Sequence, residues 1–141
     1  ISGRPPGPHR AAPSASSWGV RGYSACWLNP GNDWIYRHLH EAAGRMRALT
    51  ARHSKAATDS VTTRALAQAA RSLLLAPASA WPFIMQTGTA VAYAENRIRD
   101  YLARFHALAD DIDNGAIDAQ RLAALEAMDN IFPRMDYRVY T

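Results

Sequence analysis

The chain has 141 residues, of which 48% are hydrophobic and 20% are charged, and its net charge is +4 at neutral pH. This length and composition are typical of one globular domain, and no apolar run approaches the ~20 residues that a membrane-spanning helix requires. The residues before position 18 lack the apolar centre of a signal peptide. The single cysteine, Cys26, excludes an internal disulfide, so we expect a cytoplasmic location.

The positive charge comes almost entirely from arginine, because Lys55 is the only lysine. A group of arginines falls on the first predicted helix: Arg37, Arg45, Arg47 and Arg52. Acidic residues are spread over the second half of the chain, however, and no basic run or nucleic-acid-binding motif is present. We therefore interpret these arginines as a solvated helix face and expect no nucleic-acid partner.

The first part of the chain is predicted to be irregular. Residues 1–17 form a proline-rich linker, and residues 18–31 form a loop that is broken by glycine and proline. A long helix follows, with Asn32 or Asp33 as its N-cap and an end near residues 53–57. Its apolar stripe, at alternating intervals of four and three, consists of Ile35, Leu39, Ala42, Met46 and Leu49.

The middle of the chain predicts one more long helix and one short element. The second helix begins at Asp59 or Ser60 and continues until Pro77 ends it. Residues 79–85 then form a short apolar segment with a proline in its first turn, a position that helices accept. Gly88 ends this segment.

The last part of the chain predicts two further helices. One begins near Thr89 and ends at residues 114–115, where glycine follows asparagine. Asp118 caps the next, and its inward-facing residues are predicted to be Leu122, Leu125 and Met128. Residues 131–141 are predicted to form an extended tail, and only residues 137–140 show an alternating, strand-like pattern. The fold class is therefore all-α, a bundle of four to five helices.

No complete catalytic or metal-binding motif is present. His38 and His40 lie about 200° apart on a helix, so they cannot share one ion. A zinc-protease motif fails because Gly44, four residues after His40, stands where the second histidine is required. Cys26 has no evident partner base. The carboxylates at 110–113 lie at a predicted helix C-terminus, where the helix dipole disfavours them; they are either functional or a solvated helix end. We expect no metal, no cofactor and no catalytic residue.

Three of the four tryptophans, Trp18, Trp27 and Trp34, lie on or directly after the glycine-punctuated loop. Indole rings are large, flat and rigid, and they carry one N–H donor. These properties suit stacking against sugar rings from a loop that a rigid scaffold positions. The alternative is that the tryptophans seal a joint with a neighbouring domain, since tryptophan is also common at interfaces. The residues alone leave both interpretations open.

Several segments in sequence order resemble one known family. They are Ser-Ser-Trp-Gly-x-x-Gly-Tyr-x-x-x-Trp-Leu-Asn at 16–29, Asn-Asp-Trp at 32–34, residues 71–85, Thr-Gly-Thr at 87–89, Tyr-Ala at 93–94 and Asp-Asn-Ile-Phe-Pro at 129–133. Together they resemble the C-terminal helical domain of glycoside hydrolase family 57, and among its members most closely the 1,4-α-glucan branching enzymes. The resemblance covers nearly all of residues 16–140.

This resemblance implies a domain, residues 18–141, that packs on an upstream (β/α)₇ barrel of the same polypeptide. In the family, the barrel carries the glutamate and aspartate of a retaining mechanism, so neither catalytic carboxylate is expected in this chain. The helical domain supplies one wall of the cleft for an α-1,4-glucan. Trp18 and Trp27 match the two family tryptophans that line the cleft and favour transfer over hydrolysis, and Trp81 is expected to bind substrate beside them.

The chain also departs from the family pattern. The family usually has Ser-Asp-Trp where this chain has Ser79, Ala80 and Trp81. The usual aspartate is expected to hydrogen-bond the sugar, which the Ala80 methyl group cannot do. Ser72 stands where an acidic residue is usual, and Pro77 where a glutamine is usual. The resemblance therefore implies weaker glucan binding than in relatives.

Alternatives remain open at this point. The domain could belong to a 4-α-glucanotransferase or an α-amylase of the same family, or it could be a stand-alone helical module that binds glucan or protein. Because the chain starts at Ile1 and not at methionine, we expect it to be part of a longer polypeptide. In that case the face from Trp18 to Trp34 and the segment from Trp81 to Met85 are expected to be unusually exposed.

Overall fold

The computed structural model describes residues 27–58, 60–78, 80–88 and 90–141. These ranges contain five α-helices, α1 (Asp33–Arg52), α2 (Val61–Leu75), α3 (Ala80–Thr87), α4 (Val91–Asn114) and α5 (Ala119–Met128), and a 3₁₀ helix, Tyr137–Tyr140. No strand occurs in the described ranges. The predicted all-α bundle is confirmed, whereas the predicted linker at 1–17 and most of the loop that follows it lie outside the described residues.

Local side-chain chemistry sets the helix ends where the sequence predicts them. The Ser60 hydroxyl accepts the Thr63 backbone N–H at 3.1 Å and so caps α2. The Asp118 carboxylate accepts two backbone N–H groups at the start of α5, at 2.9 and 3.0 Å. Gly115 ends α4 with a φ of +64°, a left-handed conformation that glycine adopts without steric cost.

The core is built around α2, which packs against α1, α4 and α5. Every α2 residue from Ala65 to Leu73 is buried. The predicted α1 stripe from Ile35 to Leu49 is buried in full against it. The facing side of α4 contributes Ile98, Tyr101, Leu102, Phe105, Leu108 and Ile112. Each fully buried large side chain of this kind stabilises the fold by ~1.5–3 kcal/mol, so this three-helix contact carries most of the stability.

A buried arginine on α2 fixes the loop that follows α5. The Arg71 guanidinium donates to the carbonyl oxygens of residues 131, 132 and 133 at 2.8, 3.3 and 3.3 Å, and to the Gln68 side chain at 3.0 Å. Because these acceptors satisfy its donors, the guanidinium can be buried without a carboxylate partner. Phe132 sits in this loop with a φ of +47°, which is unusual for a residue with a side chain. The Arg71 contacts hold it there.

Two expectations for the C-terminal part are wrong. Met128 is 62% exposed, because it follows Leu122 by six residues and is rotated about 120° from that buried position on the helix. Residues 137–140 form a 3₁₀ helix and no extended tail, because the Asp136 side chain accepts the Arg138 N–H and starts a helical turn. The Tyr137 ring is buried, and its hydroxyl donates to the His53 carbonyl oxygen at 2.7 Å.

The helices in the described ranges are all too short or too polar to cross a bilayer.

Candidate functional site

Trp81 lies in the first turn of α3, at the edge of the core. Its indole N–H donates to the Leu75 carbonyl oxygen at 3.2 Å, and its ring packs partly buried against the core. The Tyr93 ring meets the indole edge to face, with centroids 6.2 Å apart and planes inclined at 68°. Tyr93 itself is 56% exposed. The hydrogen bond and the ring contact therefore fix the indole orientation beside an aromatic ring that is open to solvent.

The surface beyond Tyr93 continues along α4 with Arg97 and Tyr101. Arg97 follows Tyr93 by four residues, so the two share one helix face. Its guanidinium lies 4.7 Å from the centroid of the Tyr101 ring and donates to the Tyr101 hydroxyl. Arg104 contacts the same ring, at 5.3 Å from the centroid, and pairs with Asp129 at 2.6 Å. We name Trp81, Tyr93, Arg97 and Tyr101 the aromatic–arginine strip.

Trp27, at the start of the described residues, is partly buried. Its backbone carbonyl oxygen accepts a hydrogen bond from the Tyr36 hydroxyl on α1. The Tyr36 side chain also lines a small cavity of about 20 Å³, whose wall includes Pro77 and Pro82. Because Pro82 directly follows Trp81, Tyr36 relates the two segments: it bonds to the backbone of Trp27 and shares a cavity wall with the neighbour of Trp81.

Trp34 borders a larger, open groove of about 320 Å³ between α1 and α4, lined by Trp34, His38, Arg99, Leu102 and His106. The Arg99 guanidinium lies 5.0 Å from the Trp34 ring, and the His38 ring meets that indole edge to face at 6.0 Å. Arg99 also pairs with Glu95 at 3.1 Å. The Trp34 ring is thus already occupied by side chains of the domain itself.

The carboxylates at the end of α4 form ion pairs with helices that are distant in sequence. Arg45 contacts Asp110 at 2.6 Å and Asp113 at 2.8 Å, and Arg52 contacts Asp113 at 2.5 Å. The hydrogen bond that Arg45 donates to Asp113 lowers the pKa of the Asp113 carboxyl and raises the pKa of the Arg45 guanidinium. These carboxylates and arginines therefore remain accessible to solvent, as the solvated-end and solvated-face interpretations predict, but they are paired with one another across α1 and α4.

The remaining candidates show no metal-binding arrangement. His38 and His40 are both exposed, and no group of histidine, cysteine or acidic residues among the described residues could hold a metal ion. The expected unusual exposure is not found at Trp34, Trp81 and Met85, because these side chains pack partly buried against the core.

The predicted site residues are only partly brought together. Tyr36 lies next to the segments of both Trp27 and Trp81, whereas Trp18 and the Ala80 side chain lie outside the described part of the structure. Sequence reasoning did not identify Tyr93, Arg97 and Tyr101 as site residues. Their regular spacing of four was the available signal, because it places two aromatic rings and one cation on the same face of a helix.

Comparison with protein-family models gives the family directly. Residues 38–140 match the model described as "1,4-alpha-glucan branching enzyme, C-terminal". The chain belongs to this family. The resemblance seen in the sequence is therefore confirmed. Among curated proteins, the 1,4-α-glucan branching enzyme TK1436 of Thermococcus kodakarensis is 35% identical over 120 residues, which make up 82% of this chain but only 18% of that enzyme.

Solved structures agree on the fold of this branching-enzyme domain. The crystal structure of TK1436, a family 57 branching enzyme, matches 89% of the chain with a TM-score of 0.82 and 33% identity. The branching enzyme of Pyrococcus horikoshii matches 89% with a TM-score of 0.78 and 36% identity. The α-amylase AmyC of Thermotoga maritima matches 92% with a TM-score of 0.74 and 42% identity. The chain spans 23–24% of these relatives.

Proposed function

We propose that this chain acts as the helical domain of an α-glucan branching enzyme and supplies one wall of the cleft that holds an α-1,4-glucan. The observation that carries the proposal is the family match over residues 38–140, together with two branching enzymes of the same fold. The reaction cuts an α-1,4-linked chain and transfers it to a 6-hydroxyl group, as in the synthesis of glycogen-like glucans. We place this reaction in the cytoplasm.

The proposed wall consists of Trp18, Trp27 and Trp81. Two contacts of the described tryptophans support this role. The Trp81 indole N–H is bound to the Leu75 carbonyl oxygen, which fixes the ring, and Tyr36 holds the backbone of Trp27. Rings that are fixed before the sugar arrives lose little conformational entropy on binding. Aromatic walls also exclude water from a covalent glycosyl intermediate and so favour transfer over hydrolysis.

We further propose that the chain is not catalytic alone and that an upstream barrel of the same polypeptide performs the bond-breaking steps. The length of the relatives supports this division, because the chain corresponds to less than a quarter of each solved relative. No carboxylate of the described residues lies in the aromatic–arginine strip. The described carboxylates of the α4 C-terminal end are held by arginines.

The test begins with the reading frame upstream of Ile1 in the native transcript. The polypeptide it encodes is then incubated with amylose, and its products are analysed for linkage. New α-1,6 branches are the expected result, and their loss in Trp27→Ala or Trp81→Ala variants that still cleave the chain would support the proposed wall. Shortened linear chains without branches would contradict the branching function.

A second candidate function is α-amylase activity. The observation in its favour is that AmyC shares 42% identity with the chain, more than the 33% and 36% of the two branching-enzyme structures. The same linkage analysis separates the two candidates, because hydrolysis creates new reducing ends without α-1,6 bonds. A stand-alone glucan-binding module is a third outcome, and a start codon close to Ile1 with no catalytic activity would favour it.

A further inference from the structure

Arg97 differs from the other arginines of α4. Arg99 pairs with Glu95 and Arg104 pairs with Asp129, whereas Arg97 has no ion pair with any carboxylate of the described residues. Its only described hydrogen bond is the one it donates to the Tyr101 hydroxyl. Its Nε atom is buried and has no hydrogen-bond partner among the described residues.

An unpaired buried N–H of an arginine costs free energy and requires an explanation. The guanidinium carries five donors in a rigid fork and no acceptor, so whatever completes its hydrogen bonds must bring oxygen atoms. Stacking on the Tyr101 ring fixes the plane of this fork. Stacking therefore holds the guanidinium in one orientation, and because the Arg97 side chain as a whole is only partly buried, a ligand can approach it from solvent.

The position of Arg97 relates this donor to the aromatic rings. Tyr93 lies one helical turn before it, about 5.4 Å along the α4 axis, and the Tyr93 ring contacts Trp81. One helical turn is comparable with the size of one sugar ring. The strip thus presents a rigid indole, an exposed phenol ring and an unpaired guanidinium in a row.

We infer that the aromatic–arginine strip is a glucan subsite in which Arg97 donates hydrogen bonds to the hydroxyl groups of the sugar next to the one beside Trp81 and Tyr93. The inference rests on the proposed glucan-binding function and adds Arg97 and Tyr93 to its residues. Vicinal hydroxyls of a glucose unit present two neighbouring oxygens that suit the guanidinium fork. The adjoining aromatic rings favour a sugar over a small anion, because they offer apolar faces and because the neighbouring cation, Arg104, is already paired with Asp129.

The test uses the complete 141-residue chain, labelled with ¹⁵N, and maltoheptaose as the probe. We expect maltoheptaose to shift the Arg97 Nε–H resonance, which the Arg97→Lys variant identifies by its disappearance. In calorimetric titrations, Arg97→Leu is expected to raise the Kd about ten-fold, the loss of one charge-assisted bond. Arg97→Lys keeps the charge but lacks the fork, and we expect an intermediate Kd.

The matched control is Arg99→Leu, which removes a neighbouring arginine that contacts Trp34 and Glu95 outside the strip; its Kd should equal that of the unaltered chain. If Trp81→Ala weakens binding while both Arg97 variants bind normally, this inference is wrong and the proposed function stands. If maltoheptaose does not bind at millimolar concentration, this inference is wrong, whereas the proposed function is decided separately by the linkage analysis of the longer polypeptide. Inorganic phosphate that displaces maltoheptaose at the Arg97 Nε–H would also overturn the inference.

Discussion

The two ends of α4 use charge in opposite ways. At the C-terminal end, Asp110 and Asp113 are paired with Arg45 and Arg52 of α1, and Asp111 with Arg121 of α5. At the N-terminal end, Arg97 lies among aromatic rings and has no carboxylate partner among the described residues. The cations at the first end offset carboxylates that the helix dipole disfavours. The cation at the second end has no such structural role.

This difference separates residues that hold the fold from residues that are available to a ligand. Charges that neutralise one another across helices stabilise packing, and few of their hydrogen-bonding groups remain available to a ligand. An unpaired donor near the exposed Tyr93 ring does the reverse, because it costs stability until a partner arrives. The predictions below test this division, beginning with the ion pair of Arg104, which lies between the two ends of α4.

Arg104, between the two ends of α4, pairs with Asp129, whose side chain is only 8% exposed. We expect Asp129→Ala to destabilise the fold by about 3 kcal/mol, because removing one partner of a buried pair leaves the other charge uncompensated. Urea unfolding followed by circular dichroism measures the change. Asp100→Ala is the control, an exposed α4 carboxylate that makes no ion pair in the described structure. Equal stability of the two variants would show that the Arg104–Asp129 pair does not stabilise the fold.

Ala80 begins α3, which packs against α4, and the resemblance to the family implies an aspartate at this position. We expect Ala80→Asp, in the barrel-containing polypeptide, to raise branching activity about ten-fold, since a charge-assisted bond to a sugar contributes about 1.5 kcal/mol or more. Branch formation on amylose is the measurement. Ala92→Asp, which adds the same charge at an exposed α4 position, should have no effect. No gain from Ala80→Asp would mean that position 80 does not contact the substrate.

Local signals predicted the helices well. The α1 stripe, the Ser60 cap and the Gly115 end are all consequences of neighbouring residues, and each is found where expected. Met128 is exposed because its position on the helix is rotated about 120° from that of the buried Leu122. The strand-like pattern at 137–140 was misleading, because the Asp136 cap and the burial of Tyr137 favour a helical turn.

The candidate site was harder to predict, because its features depend on partners far away in sequence. Arg45 and Asp110 are 65 residues apart, so no local pattern could show that they neutralise each other. The helical spacing of Tyr93, Arg97 and Tyr101 is visible in the sequence. That Arg97 has no carboxylate in the described structure follows only from the three-dimensional arrangement.

At the C-terminal end, we expect Arg45→Met to destabilise the fold by about 1 kcal/mol, because both of its ion pairs are partly exposed and screened by solvent. The loss should shrink at high salt. Arg47→Met is the control, an exposed arginine on the same helix with no ion pair to a described residue. Both variants should bind maltoheptaose as the unaltered chain does. Weakened binding in Arg45→Met would show that the ion pairs at the C-terminal end also contribute to glucan binding.

The smallest expected effect is a pH dependence from Asp113. Its pKa is lowered from the usual 3.8 by the hydrogen bond from Arg45, and next by that from Arg52. A carboxyl with a depressed pKa in the folded state stabilises the fold above its unfolded-state pKa and loses that contribution as the pH falls through the folded-state pKa. Stability should therefore decline below about pH 4, and Asp113→Asn should show a shallower decline. Unfolding midpoints from pH 7 downward measure this, and equal slopes in both proteins would assign the acid sensitivity to other carboxylates.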